Sequence, residues 1–423
     1  MTALVILLAY VGLFVASMVI VNTLTAKSRP KDFTSLKTVT FGDESAVRPN
    51  RFASVISVVV LFMIWGAFTG SVISPIHVPG PFEGETSFEY TAQNGAGETD
   101  DAEVRVIVFP VGTEVDPPEV APGDGFALND SDEVGVWRSK LIRVQANDVG
   151  SKEDGYAIIA VNGEAIAPGG SVSVADGQVN MTDKGSLNFI PATGLQMQPL
   201  YLPSPERVVE AMFEVATDGF RNFTLVEHLG WSLIRVLGGF ALGALVGIPL
   251  GYAMGLSNWF RGWFDPIVEF MRPVPPLALI PLIIIWFGID ETGKIVLLFL
   301  AALWIMAIGA RAGVSGVNIT KVHAAYSLGA SKWQILRHVI VPNSLPEIFT
   351  AARVAMGVCW GTVVAAELVA ANVGAGMMIT AASKFQQTYI VVMGIILIGI
   401  IGFGIDILMR KAENWLVPWK GRS

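Results

Sequence analysis

Charged side chains inside long apolar stretches are the most informative residues of this sequence. Arg235 and Glu367 each lie within an apolar run, and Arg311 lies near the end of another. A charge in hydrocarbon is costly unless it pairs with another charge or faces water. Two interpretations therefore stay open, namely an ion pair that fixes helix packing and a polar lining of a path or gate through a membrane.

Prolines and one tryptophan extend this set of candidates. Pro273, Pro275 and Pro276 stand near the beginning of a further apolar run. Broken helices in membranes occur where they line a cavity or pack on protein. The segment is a candidate path-lining element, and a kinked entry loop is the equally weighted alternative. Trp360 is the remaining candidate for the path or gate.

Residue patterns that would support catalysis or ligand chemistry are missing from the sequence. The four histidines have no metal-ligand spacing, no paired carboxylates or nucleophile–base pair stand out, and Cys359 is alone. Gly288, Gly293 and Lys294 nearly match a phosphate-binding loop, but Ile295 follows the lysine where Ser or Thr is needed. We therefore expect no enzyme activity, no metal and no bound cofactor in this chain.

Composition indicates a membrane protein with one water-soluble part. The chain is 52% hydrophobic and 15% charged, whereas ordinary domains carry about 25% charged residues. Seven runs are long enough to span a bilayer: 3–22, 52–74, 229–256, 263–287, 293–314, 345–372 and 386–410.

Charge patterning predicts how these spans are oriented. Residues 75–228 carry 25 acidic and 8 basic side chains, a balance of -17, and the rest of the chain is basic. Basic loops favour the cytoplasmic side. The linker 23–51 and the C-terminus should then be cytoplasmic, while the N-terminus and residues 75–228 should be outside.

Period-two alternation predicts strands within the acidic segment. "AEVRVIVFP" alternates apolar and polar residues, and short strands separated by turn residues continue to about residue 191. We predict a β-sandwich, which resembles the immunoglobulin-like, cadherin-like repeats of bacterial surface proteins in a permuted order. After it, "YLPSPERVVEAMFEVATDGF" predicts a short amphipathic helix at the outer membrane surface.

The loop between the fifth and sixth predicted spans, residues 315–344, reads as two amphipathic helices around a bend. Gly329 allows the two helices to meet closely, and Pro342 is expected to end the second helix before the next span. The loop resembles the EAA loop of ABC importer permeases. The matching residues are His323, Ala324, Ala325, Gly329, Ala330, Val339, Val341 and Pro342. The departure is His323, which stands where the family usually has Glu.

The resemblance extends over most of residues 200–421. "RGWFDPIVEFMRPVPPLALIPLIIIWFGIDETGKI" and "GTVVAAELVAANVGAGMMI" are similar to the nitrate/sulfonate/taurine branch of these permeases. The resemblance implies a multi-pass protein of the bacterial inner membrane that imports taurine or a related small sulfonate by alternating access. It also implies three partners: a second permease copy, a dimer of separate ATPase subunits that bind ATP and Mg, and a periplasmic binding protein.

The resulting domain prediction is an all-α membrane protein with one β insert. Its parts are an extra helix and linker (1–51), the first core helix (52–82), the β-sandwich (83–196), an amphipathic helix (197–228) and the permease core (229–423). Nitrate, other aliphatic sulfonates and a thiamine pyrimidine precursor are alternative cargoes. A membrane-anchored surface or sensory protein and a secondary transporter are alternatives of other classes.

Overall fold

The computed structural model describes residues 2–26, 51–113, 115–150 and 155–419. The chain divides into two compact units, Met1–Pro205 and Glu206–Ser423. Most of the predicted cytoplasmic linker, residues 27–50, lies outside the described residues.

Two apolar helices open the first unit. Helix α1 covers Thr2–Ala26 and α2 covers Arg51–Thr69, and the two helices pack against each other. Most side chains of α1 are exposed, as expected for a helix that faces lipid. Tyr10 is the buried exception, because its hydroxyl group bonds to the Ser74 hydroxyl and donates to the carbonyl of Ile76 at 3.0 Å.

Nine strands of the described residues follow, arranged in two sheets. They are β1 Gly84–Gln93, β2 Thr99–Phe109, β3 Asp130–Gly135, β4 Lys140–Ile142, β5 Ala157–Val161, β6 Glu164–Ala165, β7 Ser171–Val174, β8 Gly177–Met181 and β9 Leu187–Pro191. One sheet has the order β3-β2-β1-β5-β6, and the other has the order β4-β9-β8-β7. Inward-facing residues of both sheets form one core, in which Phe88 stacks on Phe189.

The five-stranded sheet is mixed. Strands β2 and β3 are parallel, whereas β1 pairs antiparallel with β2 and β5. A parallel pair needs a long connection, and residues 110–129 supply it. The mixed sheet does not confirm the immunoglobulin-like or cadherin-like assignment, which stays a prediction.

Asp148 organises polar groups at one end of the β core. Its carboxylate accepts from the Leu128 amide at 2.6 Å and from the hydroxyl groups of Tyr90 and Tyr156. Burial, reinforced by the Asp148 charge, raises the pKa of both tyrosines. Burial and the same charge raise the pKa of Asp130 to about 7.

The β domain leaves and rejoins the chain at neighbouring points. The Phe82 amide donates to Ala192 at 2.9 Å, and the Leu195 amide donates to Pro79 at 2.8 Å. Gly194 has φ +63°, and a Cβ atom there would lie 2.1 Å from the Gly80 carbonyl oxygen. The strands are therefore a continuous insertion between two adjacent chain segments.

The second unit is helical. Its helices are α3 Pro205–Thr217, α4 Leu225–Leu256, α5 Asn258–Met271, α6 Ile280–Phe287, α7 Glu291–Ser315, α8 Ile319–Ser327, α9 Lys332–Ile335, α10 Val341–Ala370, α11 Ala375–Lys384 and α12 Thr388–Leu416. Helix α3 falls in the segment predicted to be amphipathic, and it buries Val208, Ala211 and Val215. Its location at a membrane surface stays a prediction.

Small residues bring α4 and α7 into close contact. Gly239, Gly243, Gly247 and Gly251 recur every four residues on α4, so they share one face. A Cβ atom at Gly243 would lie 2.5 Å from that of Ala302, and one at Gly247 would lie 2.6 Å from the Leu303 carbonyl oxygen. Small residues at this spacing typically allow membrane helices to approach closely.

The predicted span 263–287 lies in a bent pair of helices, as its prolines indicated. Six helices of the described residues are long and apolar enough to cross a membrane, or seven if a bent pair counts as one span. That pair is Asn258–Met271 and Pro276–Phe287, which meet at 92°. Pro273, Pro275 and Pro276 cause the break, because proline cannot donate a backbone hydrogen bond and clashes with the preceding helical turn.

Candidate functional site

Arg235 is the centre of a buried ion-pair network that joins three helices. Its guanidinium group is 1% exposed on α4. Nη1 donates to Glu367 on α10 at 2.6 Å, while Nε and Nη2 donate to both carboxylate oxygens of Glu291 at 2.5 and 2.7 Å. Lys294 donates to Glu291 at 2.8 Å, and Arg235 also reaches the Val373 carbonyl at 2.8 Å. Two positive and two negative charges therefore meet at the first turn of α7.

Glu367 has hydrogen bonds on both carboxylate oxygens. Ser232 donates to them at 2.8 and 3.0 Å, and the Gly376 amide donates at 2.9 Å. Gly374 approaches so closely that a Cβ atom there would lie 2.4 Å from the Glu367 carboxyl carbon, and its φ is +143°. This carboxylate therefore fixes the chain between α10 and α11 as well as the position of α4.

His228 extends the network along the same face of α4. The Gly374 amide donates to Nδ1 at 3.1 Å, so the proton resides on Nε2, which lies 3.0 Å from the Phe220 carbonyl oxygen. The sequence analysis missed His228, Ser232 and Glu291. The spacing of His228, Ser232 and Arg235, four residues and then three, was a detectable signal because such residues share one helix face.

The broken span packs beside this network. The turn Pro276–Leu279 contacts α7 and α10. Leu279 and Ile280 belong to the cluster that contains Ala366, the residue before Glu367. The structure thus brings the predicted proline element close to the helix that carries the buried carboxylate.

Trp360 lies elsewhere on α10, seven residues before Glu367. Its indole nitrogen donates to the Ile398 carbonyl at 3.1 Å, so it links α10 to α12. Arg311, another charged candidate from the sequence, pairs with Asp265 and with Glu269 of α5. Trp360 and Arg311 therefore lie outside the Arg235–Glu367 network, at two different helix contacts.

The predicted docking loop contains α8, a bend and α9. His323 and Ala324 are exposed on α8, and Ala325 is half-buried. Gly329 forms the bend with φ +80°, a conformation that favours glycine. Ser331 caps α9 by accepting from the Gln334 amide, and Lys321 of α8 donates to Asn343 of α10 at 2.8 Å. These contacts hold the two loop helices and the next long helix together.

The second loop helix does not end at Pro342, contrary to the prediction. A π-helical turn, Leu336–Ile340, joins α9 to α10 directly. Pro342 is the second residue of α10, so its missing amide proton falls next to the π-helical turn, where the regular α-helical hydrogen-bond pattern is already interrupted. Val339 lies in the π turn, Val341 begins α10, and Ala330 precedes the cap of α9. The loop and the long helix are therefore one continuous element.

Comparison with known proteins assigns the family. Residues 243–417 match the family model of the binding-protein-dependent transport system inner membrane component. The taurine transport system permease protein of Escherichia coli is 47% identical over 231 residues, which cover 54% of this chain and 84% of that protein. A putative aliphatic sulfonates transport permease protein of the same organism is 39% identical over 218 residues, covering 52% of this chain and 81% of its own length.

A solved structure is also similar. It shows inward-facing conformations of the MetNI methionine ABC transporter. The two structures align with a TM-score of 0.41 and 20% sequence identity, and the alignment covers 45% of this chain and 95% of the solved chain. The assignment comes from the sequence relatives, since 84% of the taurine permease is covered at 47% identity. The chain therefore belongs to the binding-protein-dependent transport system inner membrane components, as an ABC importer permease of the branch that includes the taurine and sulfonate permeases.

Proposed function

We propose that this chain forms the translocation pathway of an importer for taurine or a related small sulfonate. The observation that carries the proposal is the 47% identity to the E. coli taurine permease over 231 residues. Bicarbonate, the cargo named for a 33% identical permease of Synechococcus elongatus, is the competing anion.

Growth of a host on defined sulfur sources tests the cargo. A strain without its own taurine permease, supplied with this chain and its cognate ATPase and binding protein, should grow on taurine as sole sulfur source. Uptake of labelled taurine should exceed that of labelled bicarbonate and alkanesulfonates. Uptake of bicarbonate without uptake of taurine or of any alkanesulfonate would overturn the cargo assignment while leaving the family unchanged.

The expected assembly contains two permease copies, two separate ATPase subunits and a periplasmic binding protein. The loop 315–344 is the proposed ATPase contact, because large apolar side chains are exposed along it. Tyr326 is 69% exposed, Leu328 88% and Trp333 67%. The contacts that join α8, α9 and α10 would let this loop act as a lever on the long helix.

Substitution at the bend tests the docking proposal. Gly329→Asp forces an unfavourable backbone conformation, although a Cβ atom there would meet nothing within 4 Å. We expect normal membrane insertion with ATP hydrolysis uncoupled from uptake. Asn318→Asp is the matched control, since Asn318 caps α8 and aspartate preserves a cap while adding the same charge. Wild-type uptake by Gly329→Asp would refute the docking role.

Arg235 and Glu367, together with Pro273, Pro275 and Pro276, are proposed to control the geometry of the pathway. The hydrogen bonds on both oxygens of Glu367 favour a role in fixing the helices over a role in binding cargo. A gate that opens by separating α4 from α10 would need to break the Arg235–Glu367 pair.

The β domain is proposed to be an extracytoplasmic, immunoglobulin-like spacer that does not bind cargo. Its segment carries the -17 balance of charges, which disfavours anions, and screening limits such a field to about 8 Å at physiological salt. Because Phe82 lies beside Ala192, a short Gly/Ser linker can replace residues 84–194. Taurine uptake should persist, and calorimetry should show no taurine binding to the isolated domain.

The proposed orientation places the N-terminus and the β domain outside and the C-terminus in the cytoplasm of the inner membrane. Cysteine variants in a Cys359→Ser background test it with a membrane-impermeant label. Ala96, exposed at the turn between β1 and β2, should be labelled in intact cells after Ala96→Cys. Ser35→Cys should be labelled after lysis, and the reverse pattern would refute the orientation.

A further inference from the structure

A cavity of about 280 Å³ lies between α10 and α12. Arg353, Gly357 and Trp360 of α10 form one wall, and Gly402 and Asp406 of α12 form the other. Pockets that hold drug-sized ligands measure roughly 300–1,000 Å³, so this cavity fits a smaller solute. It is separate from the Arg235–Glu367 network.

The polar groups of the cavity are incompletely paired. Arg353 pairs with Glu413, but its Nε is buried without a hydrogen-bond partner among the described residues. Asp406 Oδ1 lies 3.8 Å from that Nε, beyond hydrogen-bond distance, and its other oxygen pairs with Arg410 at 2.7 Å. A buried donor without a partner is unusual in folded proteins. The cavity is therefore lined by an arginine beside a carboxylate, and one donor of that arginine lacks a hydrogen-bond partner.

We propose that this cavity is a transient cargo subsite for a small zwitterion that carries a sulfonate and an ammonium group. The sulfonate accepts from the guanidinium group of Arg353, and the ammonium lies against the Asp406 carboxylate. The indole of Trp360, whose N–H is engaged by Ile398, supplies apolar wall for the short carbon chain. The net charge of the four charged side chains around the cavity is zero, which suits a ligand without net charge. These side chains are Arg353, Arg410, Asp406 and Glu413.

Glycines keep the cavity open. A Cβ atom at Gly357 would meet nothing within 4 Å, although the residue faces the cavity. At Gly402 a Cβ atom would lie 3.0 Å from Trp360 Nε1, so glycine there leaves room for the indole. A larger side chain at position 357 would therefore occupy the cavity without displacing its walls.

The inference rests on the proposed cargo, and its test separates the two. The assembled permease–ATPase complex in lipid nanodiscs, without binding protein, is assayed for binding of labelled taurine. Uptake and ATP hydrolysis stimulated by loaded binding protein are measured in proteoliposomes. Gly357→Val fills the cavity. Gly361→Val is the matched control, because it lies one turn further along α10 and its Cβ atom would also meet nothing within 4 Å.

We expect Gly357→Val to lower taurine binding and uptake at least about tenfold, the scale of one lost charge-assisted hydrogen bond. Stimulated ATP hydrolysis should persist, which shows that the complex is folded, and Gly361→Val should bind as wild type. Asp406→Asn preserves the volume and should weaken taurine more than ethanesulfonate, which has no ammonium group.

Three results would overturn the subsite. They are absence of taurine binding by the wild-type complex, unchanged binding by Gly357→Val, and equal effects of Asp406→Asn on taurine and ethanesulfonate. A different result would separate the subsite from the cargo. If the wild-type complex binds taurine and Gly357→Val does not, but neither protein takes up taurine, the subsite stands and the proposed cargo fails.

Discussion

The buried network predicts unequal costs for removing its two central partners. Arg235 pairs with two carboxylates, Glu367 and Glu291, whereas Arg235 is the cation paired with Glu367 in the described part of the chain. Arg235→Gln leaves the charge of Glu367 buried and uncompensated. Glu367→Gln keeps an acceptor for Ser232 or the Gly376 amide, and Arg235 retains both hydrogen bonds to Glu291.

The magnitudes follow from this asymmetry. Breaking a buried pair by removing one partner costs about 3–5 kcal/mol, which we expect for Arg235→Gln because Glu367 is fully buried. Glu367→Gln should cost about 1–3 kcal/mol, the scale of an imperfectly replaced hydrogen bond. The double variant carries no uncompensated charge at this pair and should be more stable than the sum of the two costs predicts, by about 1–3 kcal/mol.

Unfolding in mixed micelles of increasing SDS content measures these costs, with taurine uptake assayed in parallel. Arg272→Gln is the matched control, because its guanidinium is 65% exposed in its pair with Glu269 and exposed pairs contribute about 1 kcal/mol or less. Equal costs for the two single variants, or strict additivity in the double variant, would refute the reasoning. A stable Arg235→Gln protein without uptake would instead favour a path-lining role.

Three further perturbations probe other parts of the chain. Gly247→Leu should destabilise the helical unit by about 3 kcal/mol or more in the same SDS assay, because its side chain meets the α7 backbone, whereas Gly238→Leu should be tolerated since a Cβ atom there meets nothing within 4 Å. Gly374→Ala should cost at least about 2 kcal/mol, because it combines an unfavourable φ with a clash against Glu367, and normal stability would place that carboxylate elsewhere. Asp130 has a pKa raised from 3.8 to about 7, so the folded state disfavours its ionised form and stability is lost as pH rises from about 4 to 7. Urea unfolding of the isolated β domain, whose core lies within its own strands, should show that Asp130→Asn adds about 1–2 kcal/mol at pH 8, discounted for partial exposure, and little at pH 4.

Apolar runs predicted most of the long helices because a membrane helix must satisfy its backbone hydrogen bonds internally and present apolar side chains to lipid. The predicted run 293–314 corresponds to α7, Glu291–Ser315, and most of 386–410 lies in α12, Thr388–Leu416. For the run 263–287, hydropathy reports an apolar composition and carries no information about the direction of the chain. The three prolines showed that the helix would break, but the 92° bend depends on how α6 packs against α7.

The site was partly visible for a related reason. Arg235 and Glu367 stood out because each charge interrupts an apolar run. Glu291 and Lys294 did not, because they stand where a loop meets the start of a span, which is an ordinary place for charges. Their role depends on α7 beginning at Glu291, which places both side chains in the first helical turn next to Arg235. Sequence spacing alone could not show that this turn lies against the middle of α4.

Helix α10 connects the three proposed functional regions. The helical run from Lys332 to Val369 is continuous through the π turn, and residues 341 to 367 extend about 39 Å at 1.5 Å per residue. It carries Arg353 and Trp360 at the cavity and Glu367 at the buried network. A displacement of the docking loop would therefore reach both sites along one rigid element. Gly329→Asp should then change taurine binding at the cavity as well as ATPase coupling, an effect that a disordered linker between loop and helix could not produce.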